Sequence, residues 1–219
     1  PKLNFFRKFF WRLVQKKIFK VFCPSKELKS QLKKKNIFDE GKLIFLPDPI
    51  IWVKKMRQDL ILSKDIPELK NKRKYFISVG RLTKQKNFNY LIDEFYLFTK
   101  KNYDIDLLIF GEGEQRMNLT KKINDYGISD RVFLKGYSDN IYSYMRGAKS
   151  FILSSLWEDP GFVIIEAAAN NLFVISSDCK NGPEEFLLNG KGGLLFNINI
   201  KNELSKSLDI FLGMDKEKN

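Results

Sequence analysis

The stretch FILSSLWEDPGFVIIEAAANNLFVIS, residues 151–176, holds a whole structural unit. Phe151-Ile-Leu153 and Phe173-Val-Ile-Ser176 are short continuous apolar runs, and each reads as a buried strand. Between them, residues from about 160 to 170 read as a helix. Pro160 suits a first turn, where no N–H is needed, and Asp159 is placed to cap it. The same alternation continues on both sides. Residues 75–79, 106–110, 132–134 and 194–196 read as further strands. Helices are predicted near 87–101, 114–126, 139–147 and 183–189, with a last one from about 200. Continuous apolar strands alternating with amphipathic helices define an α/β fold with a doubly wound, mostly parallel sheet.

Residues 1–74 follow a different pattern. A basic aromatic helix at about 3–18 precedes a strand around 19–22, a helix from Ser25 and a strand at 42–46. Pro47-Asp48-Pro49 breaks the chain there, and residues 51–74 read as a charged connector. Residues 1–50 make at most two βα units, too few to close a sheet, and are expected to be part of another domain. The organisation expected is therefore 1–50 as a partial second domain, 51–74 as connector, 75–213 as the main α/β domain and 214–219 as a tail. The first residue is Pro1 rather than Met, as in a piece of a longer protein.

Charge sharpens this division. The chain of 219 residues carries a net charge of +13. Residues 1–74 hold 21 Lys and Arg against 7 Asp and Glu, whereas residues 75–219 hold 18 against 19. The basic block suits nucleic acid, an anionic membrane surface or a solvated lysine-rich face. No RRM, zinc-finger or helix-turn-helix pattern accompanies it, so nucleic acid is not an expected partner. No apolar run approaches the ~18–20 residues that span a bilayer, and no signal peptide is expected. Two widely separated cysteines, Cys23 and Cys179, suit free thiols in the cytoplasm. The chain contains no histidine, which removes Ser-His-Asp, Cys-His and HExxH chemistry.

In an open α/β sheet, ligands bind beyond the carboxyl ends of the strands. The first of these strands exits into Gly80-Arg81-Leu82-Thr83-Lys84-Gln85-Lys86-Asn87, where Arg81 and Lys86 lie five positions apart before a helix. A guanidinium fork and a mobile ammonium suit a diphosphate, and a solvated basic loop is the alternative. The second strand exits into Gly111-Glu112-Gly113-Glu114, half a dinucleotide fingerprint, with Arg116 where the third glycine belongs. Asp104-Ile105-Asp106 lies at the amino end of its strand and reads as a solvated turn rather than a metal site. The strand at 151–153 exits towards Glu158, followed by Gly161, which lets a ligand approach the backbone closely. Glu166 interrupts Phe162-Val-Ile-Ile165 and Ala167-Ala-Ala169, so it is placed beside buried positions, where an unpaired charge is expensive. Two carboxylates could accept hydrogen bonds from the hydroxyls of two sugar rings; two ordinary surface acids are the alternative.

GRLTKQKN, together with the glutamates eight apart in WEDPGFVIIEAA, resembles the signatures of GT-B retaining glycosyltransferases of family 4. SSDCKNGPEEFLLNGKGGLLF resembles the loop, helix and strand that follow in transferases of polysaccharide and lipopolysaccharide assembly. The resemblance covers roughly 20–213, centred on a nucleotide-sugar-binding domain at 75–196. It implies that Arg81 and Lys86 bind the donor diphosphate and stabilise the charge it gains as the glycosidic bond breaks. It implies that Glu166 holds the ribose hydroxyls and that Glu158 contacts the transferred sugar. Pro160 begins the segment in which backbone N–H groups of Gly161, Phe162 and Val163 face sugar and phosphate. Gly80 is expected among the substrate-binding residues, and Gly111 and the Gly136-Tyr137 loop would flank the nucleoside. No metal or cofactor is expected, since the basic pair takes the metal's place. The donor would be a UDP-, GDP- or similar nucleotide sugar, and the acceptor a glycan or lipid-linked glycan.

Several features depart from that pattern. Family members carry a larger acceptor-binding domain that often supplies a histidine, and a C-terminal helix that crosses back to it. Only the last portion of that acceptor-side domain, residues 1–50, is expected here, with no histidine, and the crossing helix is not expected, so the chain reads as a fragment; the alternative is a non-catalytic nucleotide-sugar-binding half that acts with a partner chain. The stretch FFRKFFWRLVQKKIFKVF interleaves aromatic and basic residues and suits the anionic inner face of the cytoplasmic membrane. A helix that packs on the absent domain is the alternative.

Overall fold

Short apolar strands in the second half of the chain stack side by side because both faces of each are covered by helices. The computed structural model describes residues 5–48, 51, 53–62, 73–101, 104–158 and 160–217. The chain divides into two units, Pro1–Pro49 and Ile50–Asn219. The expected cap Asp159 lies outside the described residues.

The first unit holds helix α1 (Phe5–Val14), strand β1 (Val21–Cys23), helix α2 (Lys26–Lys34) and strand β2 (Leu43–Phe45), with β1 and β2 parallel. Ser25 starts α2: its Oγ accepts from the Leu28 N–H at 3.1 Å, satisfying one of the otherwise orphan donors of the first turn. Trp11 meets Phe38 edge-on at 5.8 Å, and Arg12 Nε donates to the Asn36 carbonyl at 3.1 Å, which anchors α1. Phe5, Phe6, Phe9 and Phe10 remain exposed.

The second unit opens with helix α3 (Val53–Leu62), within the stretch expected to be a connector. Val53, Met56 and Leu60 keep helical spacing in the sequence, and the charges around them mask the period. Met56 packs against the core, and its carbonyl accepts from Arg146 Nη2 at 3.3 Å. Six strands follow: β3 (Lys74–Val79), β4 (Ile105–Phe110), β5 (Val132–Gly136), β6 (Ser150–Leu153), β7 (Val174–Ser177) and β8 (Leu194–Phe196). They form one parallel sheet in the order β5-β4-β3-β6-β7-β8. The interleaved helices are α4 (Phe88–Thr99), α5 (Arg116–Asp125), α6 (Ile141–Gly147), α7 (Val163–Ala169), α8 (Pro183–Phe186) and α9 (Glu203–Glu217). The last helix runs beyond 213, where the domain was expected to end, and Lys149 Nζ meets Asp215 at 2.6 Å.

Side chains alternate across this sheet as the strand period requires. Phe76, Leu107, Ile109, Ile152 and Ile175 face one apolar core with residues of α4, α5 and α9. Ile77, Phe110, Phe151, Leu153 and Val174 face another with residues of α6 and α7. The expected doubly wound α/β fold is therefore present. Strand order reverses between β3 and β6, which sets a crevice at the carboxyl edge there.

Two local expectations are corrected. Asp104 is exposed, but Asp106 lies inside β4 and is buried, so the DID segment is not simply a solvated turn. Arg131 Nε and Arg73 Nη1 reach Asp106 Oδ1 at 3.0 and 3.4 Å and supply the partners its burial demands. Pro160 precedes α7 rather than entering its first turn; the Ile165 and Glu166 N–H groups donate to the Phe162 carbonyl. Glu166 consequently sits in the first turn of a seven-residue helix.

Candidate functional site

Three loops meet at the carboxyl edge. Gly111 follows β4 with φ of +132°, and a Cβ there would lie 2.0 Å from the Gly80 carbonyl oxygen. Only glycine allows the β3 and β4 exits to touch in this way. Gly80 N donates to the Phe110 carbonyl at 2.9 Å, Leu82 N to Glu112 at 2.9 Å and Gly111 N to Gly136 at 2.8 Å. The three strand ends are thus fastened by backbone bonds, and a cleft opens above them.

This cleft encloses about 480 Å³. Its floor comes from Val79, Gly80 and Arg81 at the end of β3, Phe110, Gly111 and Glu112 at the end of β4, and Gly136 to Asp139 at the end of β5. Its wall comes from Ile141 and Tyr142 of α6, Glu166 of α7 and Lys55 of α3. Lys55 Nζ donates to the Asp139 carbonyl at 2.7 Å. Glu112 accepts from Arg116 Nη1 at 2.9 Å, and Arg116 Nη2 also donates to the Leu134 carbonyl at 3.1 Å. The residue standing where a third fingerprint glycine would be therefore braces the loop that carries Glu112. Tyr142 donates its hydroxyl to Glu166 Oε1 at 3.1 Å. Burial pushes the Glu166 carboxyl above its ordinary value, and the Tyr142 bond opposes that rise.

Of the residues singled out in the sequence, Gly80, Arg81, Gly111, Gly136, Tyr137 and Glu166 share this cleft. Lys86 and Glu158 do not line it. They form a buried ion pair at 2.6 Å, with side chains 14% and 4% exposed. Ser155 Oγ also donates to the same Glu158 oxygen. The Lys86 end of the pair adjoins the cleft floor, since a Cβ on Gly80 would meet the Lys86 side chain at 3.2 Å; at the other end a Cβ on Gly161, outside the lining, would meet Glu158 Cγ at 3.0 Å. Pro160, Gly161, Phe162 and Val163 belong to the adjoining loop and helix start and also fall outside the lining. The sequence reading missed Lys55, Phe110, Asp139 and Tyr142; of these, only Tyr142 carried a usable signal, as a polar-tipped aromatic beginning a helix after a strand exit.

The two signature loops are held as one piece. Leu156 N donates to the Gln85 carbonyl at 2.8 Å, and Gln85 Nε2 donates to the Trp157 carbonyl at 2.9 Å. Ser154 Oγ donates to the Lys86 carbonyl at 2.9 Å. The next loop adds a third layer: Glu158 N donates to Lys180, and a Cβ on Gly182 would lie 1.7 Å from the Pro160 carbonyl oxygen. Arg81, exposed at the cleft floor, and Glu166, half-buried in the wall, thus face a hollow whose walls are fixed by backbone contacts.

A parallel sheet in this order, with a polar-edged cleft at its reversal point, defines an α/β domain of the Rossmann-like type that binds ligands beyond its strand ends. The chain belongs to the family Glycosyl transferases group 1, which matches residues 62–219. It is 41% identical over 112 residues to an uncharacterised glycosyltransferase of Methanocaldococcus jannaschii, covering 51% of this chain and 28% of that protein. It is 31% identical over 154 residues to the N-acetylgalactosamine-N,N'-diacetylbacillosaminyl-diphospho-undecaprenol 4-alpha-N-acetylgalactosaminyltransferase of Campylobacter jejuni, covering 70% of this chain and 41% of that protein. The crystal structure of Anabaena HepE in complex with UDP superposes with a TM-score of 0.79 at 17% identity, over 98% of this chain and 60% of that one. That likeness shows the fold, the Rossmann-like half of a GT-B architecture. The chain spans less than half the length of the curated relatives it matches. No helix among the described residues is long and apolar enough to cross a membrane.

Proposed function

We propose that this chain is the donor-binding part of a retaining family 4 glycosyltransferase, which takes a sugar from a nucleoside diphosphate sugar in cell-surface polysaccharide or lipopolysaccharide synthesis. The observation that carries this is the shared cleft, with a guanidinium at its floor and a carboxylate at its wall. Arg81 binds the diphosphate and stabilises the negative charge it gains as the glycosidic bond breaks. Glu166 accepts hydrogen bonds from ribose hydroxyls. Lys86 lies against Gly80, where its ion pair with Glu158 holds it and supports the loop that carries Arg81. The Arg81 guanidinium supplies the charge neutralisation that a metal performs elsewhere, so the donor is held without one. The acceptor is a glycan on a lipid carrier, as the name of the Campylobacter jejuni relative suggests, and the reaction takes place at the cytoplasmic face of the membrane. Calorimetric titration of the chain with UDP and with GDP tests this reading. Binding of at least one, weakened at least tenfold in Arg81→Ala, is expected. Absence of binding to both, or unchanged binding in Arg81→Ala, refutes it.

Helix α1 supports an additional membrane contact, since Phe5, Phe6, Phe9 and Phe10 are exposed beside Arg7 and Lys8. Co-sedimentation with anionic liposomes at low salt is expected, and failure to pellet discards the contact.

A further inference from the structure

Glu166 enters the cleft from α7, but what holds its carboxylate comes from α6. Tyr142 is the second residue of α6 and is only 5% exposed, so its ring is fixed by packing. Its hydroxyl donates to Glu166 Oε1 at 3.1 Å. The backbone on either side is fixed as well: Asn170 Nδ2 donates to the Glu166 carbonyl at 2.8 Å and approaches Met145 Sδ of α6 at 3.9 Å. Both Tyr142 and Glu166 line the cleft.

The terminal torsion of a glutamate is broad, so an untethered carboxylate samples many orientations. A vicinal diol is recognised best by a carboxylate already turned to accept from two hydroxyls at once. Pinning one oxygen with a rigid phenol removes that freedom before the ligand arrives. The bond to Tyr142 also opposes the effect of burial and favours the ionised form, which accepts without donating.

We propose that Tyr142 is a positioning residue: it presets the Glu166 carboxylate for the ribose diol and thereby makes the cleft select ribonucleotides over 2′-deoxyribonucleotides. This rests on the reading of Glu166 as the ribose-binding group. Loss of the 2′-hydroxyl removes one hydrogen bond to a charged acceptor, which corresponds to about 10- to 100-fold in affinity.

The test is calorimetric titration of the full chain, its Tyr142→Phe variant and its Glu166→Gln variant with UDP, 2′-deoxy-UDP, GDP and 2′-deoxy-GDP. Wild type is expected to prefer the ribonucleotide. Tyr142→Phe is expected to lower that preference at least threefold, its affinity falling more for the ribonucleotide than for the deoxynucleotide. Glu166→Gln is expected to abolish the preference. Each preference is a ratio within one protein, so a loss of folded fraction cancels. A Tyr142→Phe protein that keeps the wild-type preference, or that binds ribo- and deoxynucleotide equally more weakly, overturns the role of Tyr142 and leaves that of Glu166 standing. A Glu166→Gln protein that keeps the preference overturns both. A wild type without preference, or without binding, also overturns both.

Discussion

Replacing Lys86 by methionine removes the positive half of a buried pair and leaves its partner in place. Glu158 then keeps only the Ser155 hydroxyl, in a side chain 4% exposed to water. Breaking a buried pair by removing one member costs about 3–5 kcal/mol, because the remaining charge is uncompensated. For a domain of this size about 1 kcal/mol moves the thermal midpoint by about 2–4 °C, so Lys86→Met is expected to melt about 6–20 °C lower. Glu158→Met strands the ammonium in turn; Lys86 is 14% exposed and less tightly enclosed, so the loss is smaller but still above about 2 kcal/mol. The double variant carries two unbranched apolar chains that fit under Gly80 and Gly161, and is expected to regain most of the lost stability. Urea denaturation of the four proteins gives the coupling directly, provided the m-values agree. A Lys86→Met loss under about 1 kcal/mol, or a double variant no better than the sum of the singles, would refute the assignment of these residues as a pre-formed pair beside Gly80. The double variant separates structure from function as well: it stays folded yet should bind UDP more weakly than wild type.

Gly111→Ala places a Cβ against the Gly80 carbonyl in a left-handed region, so a destabilisation of about 2 kcal/mol or more is expected; an unchanged urea midpoint would contradict it. Burial pushes the Cys179 thiol up to about 12, and Cys23 is raised by the same cause. A thiol-disulfide reagent at mildly alkaline pH should therefore leave both untouched in the native protein and modify both in urea, and rapid native labelling of either would count against the packing described. Glu166 has a carboxyl raised above its unfolded value by burial. Its contribution to stability is thus fully present at acid pH and is lost as pH rises through the raised value. Glu166→Gln removes that loss, so its urea midpoint should exceed that of wild type at about pH 7 and the gain should vanish at about pH 4; a gain confined to acid pH reverses the sign and rejects the assignment.

The fold of residues 75–213 was legible because six apolar runs alternate with helical stretches, and a strand buried on both faces has little other reading. Helix α3 was not, since its apolar residues are scattered among lysines and arginines and only its docking on α6 reveals which face matters. The loops carrying the site were legible through their glycines and charges. Sequence spacing brought Arg81 and Glu166 to one edge correctly. It could not show that Lys86 and Glu158 would neutralise each other beside Gly80, because pairing depends on the chain folding back across the sheet over a separation of 72 positions. Lys55 escaped notice for the same reason: its relevance lies in the loop it meets, not in its neighbours in sequence. Asp106 shows the converse error, a surface-like motif made internal by arginines distant in the chain.

Crystals of the chain grown with UDP measure the arrangement directly. The diphosphate should lie within about 2.7–3.2 Å of donors on Arg81 at the floor of the cleft, with the ribose hydroxyls on Glu166. A nucleotide bound on another face, or in the cleft with its diphosphate turned away from Arg81, would show that guanidinium and carboxylate do not jointly hold an activated sugar.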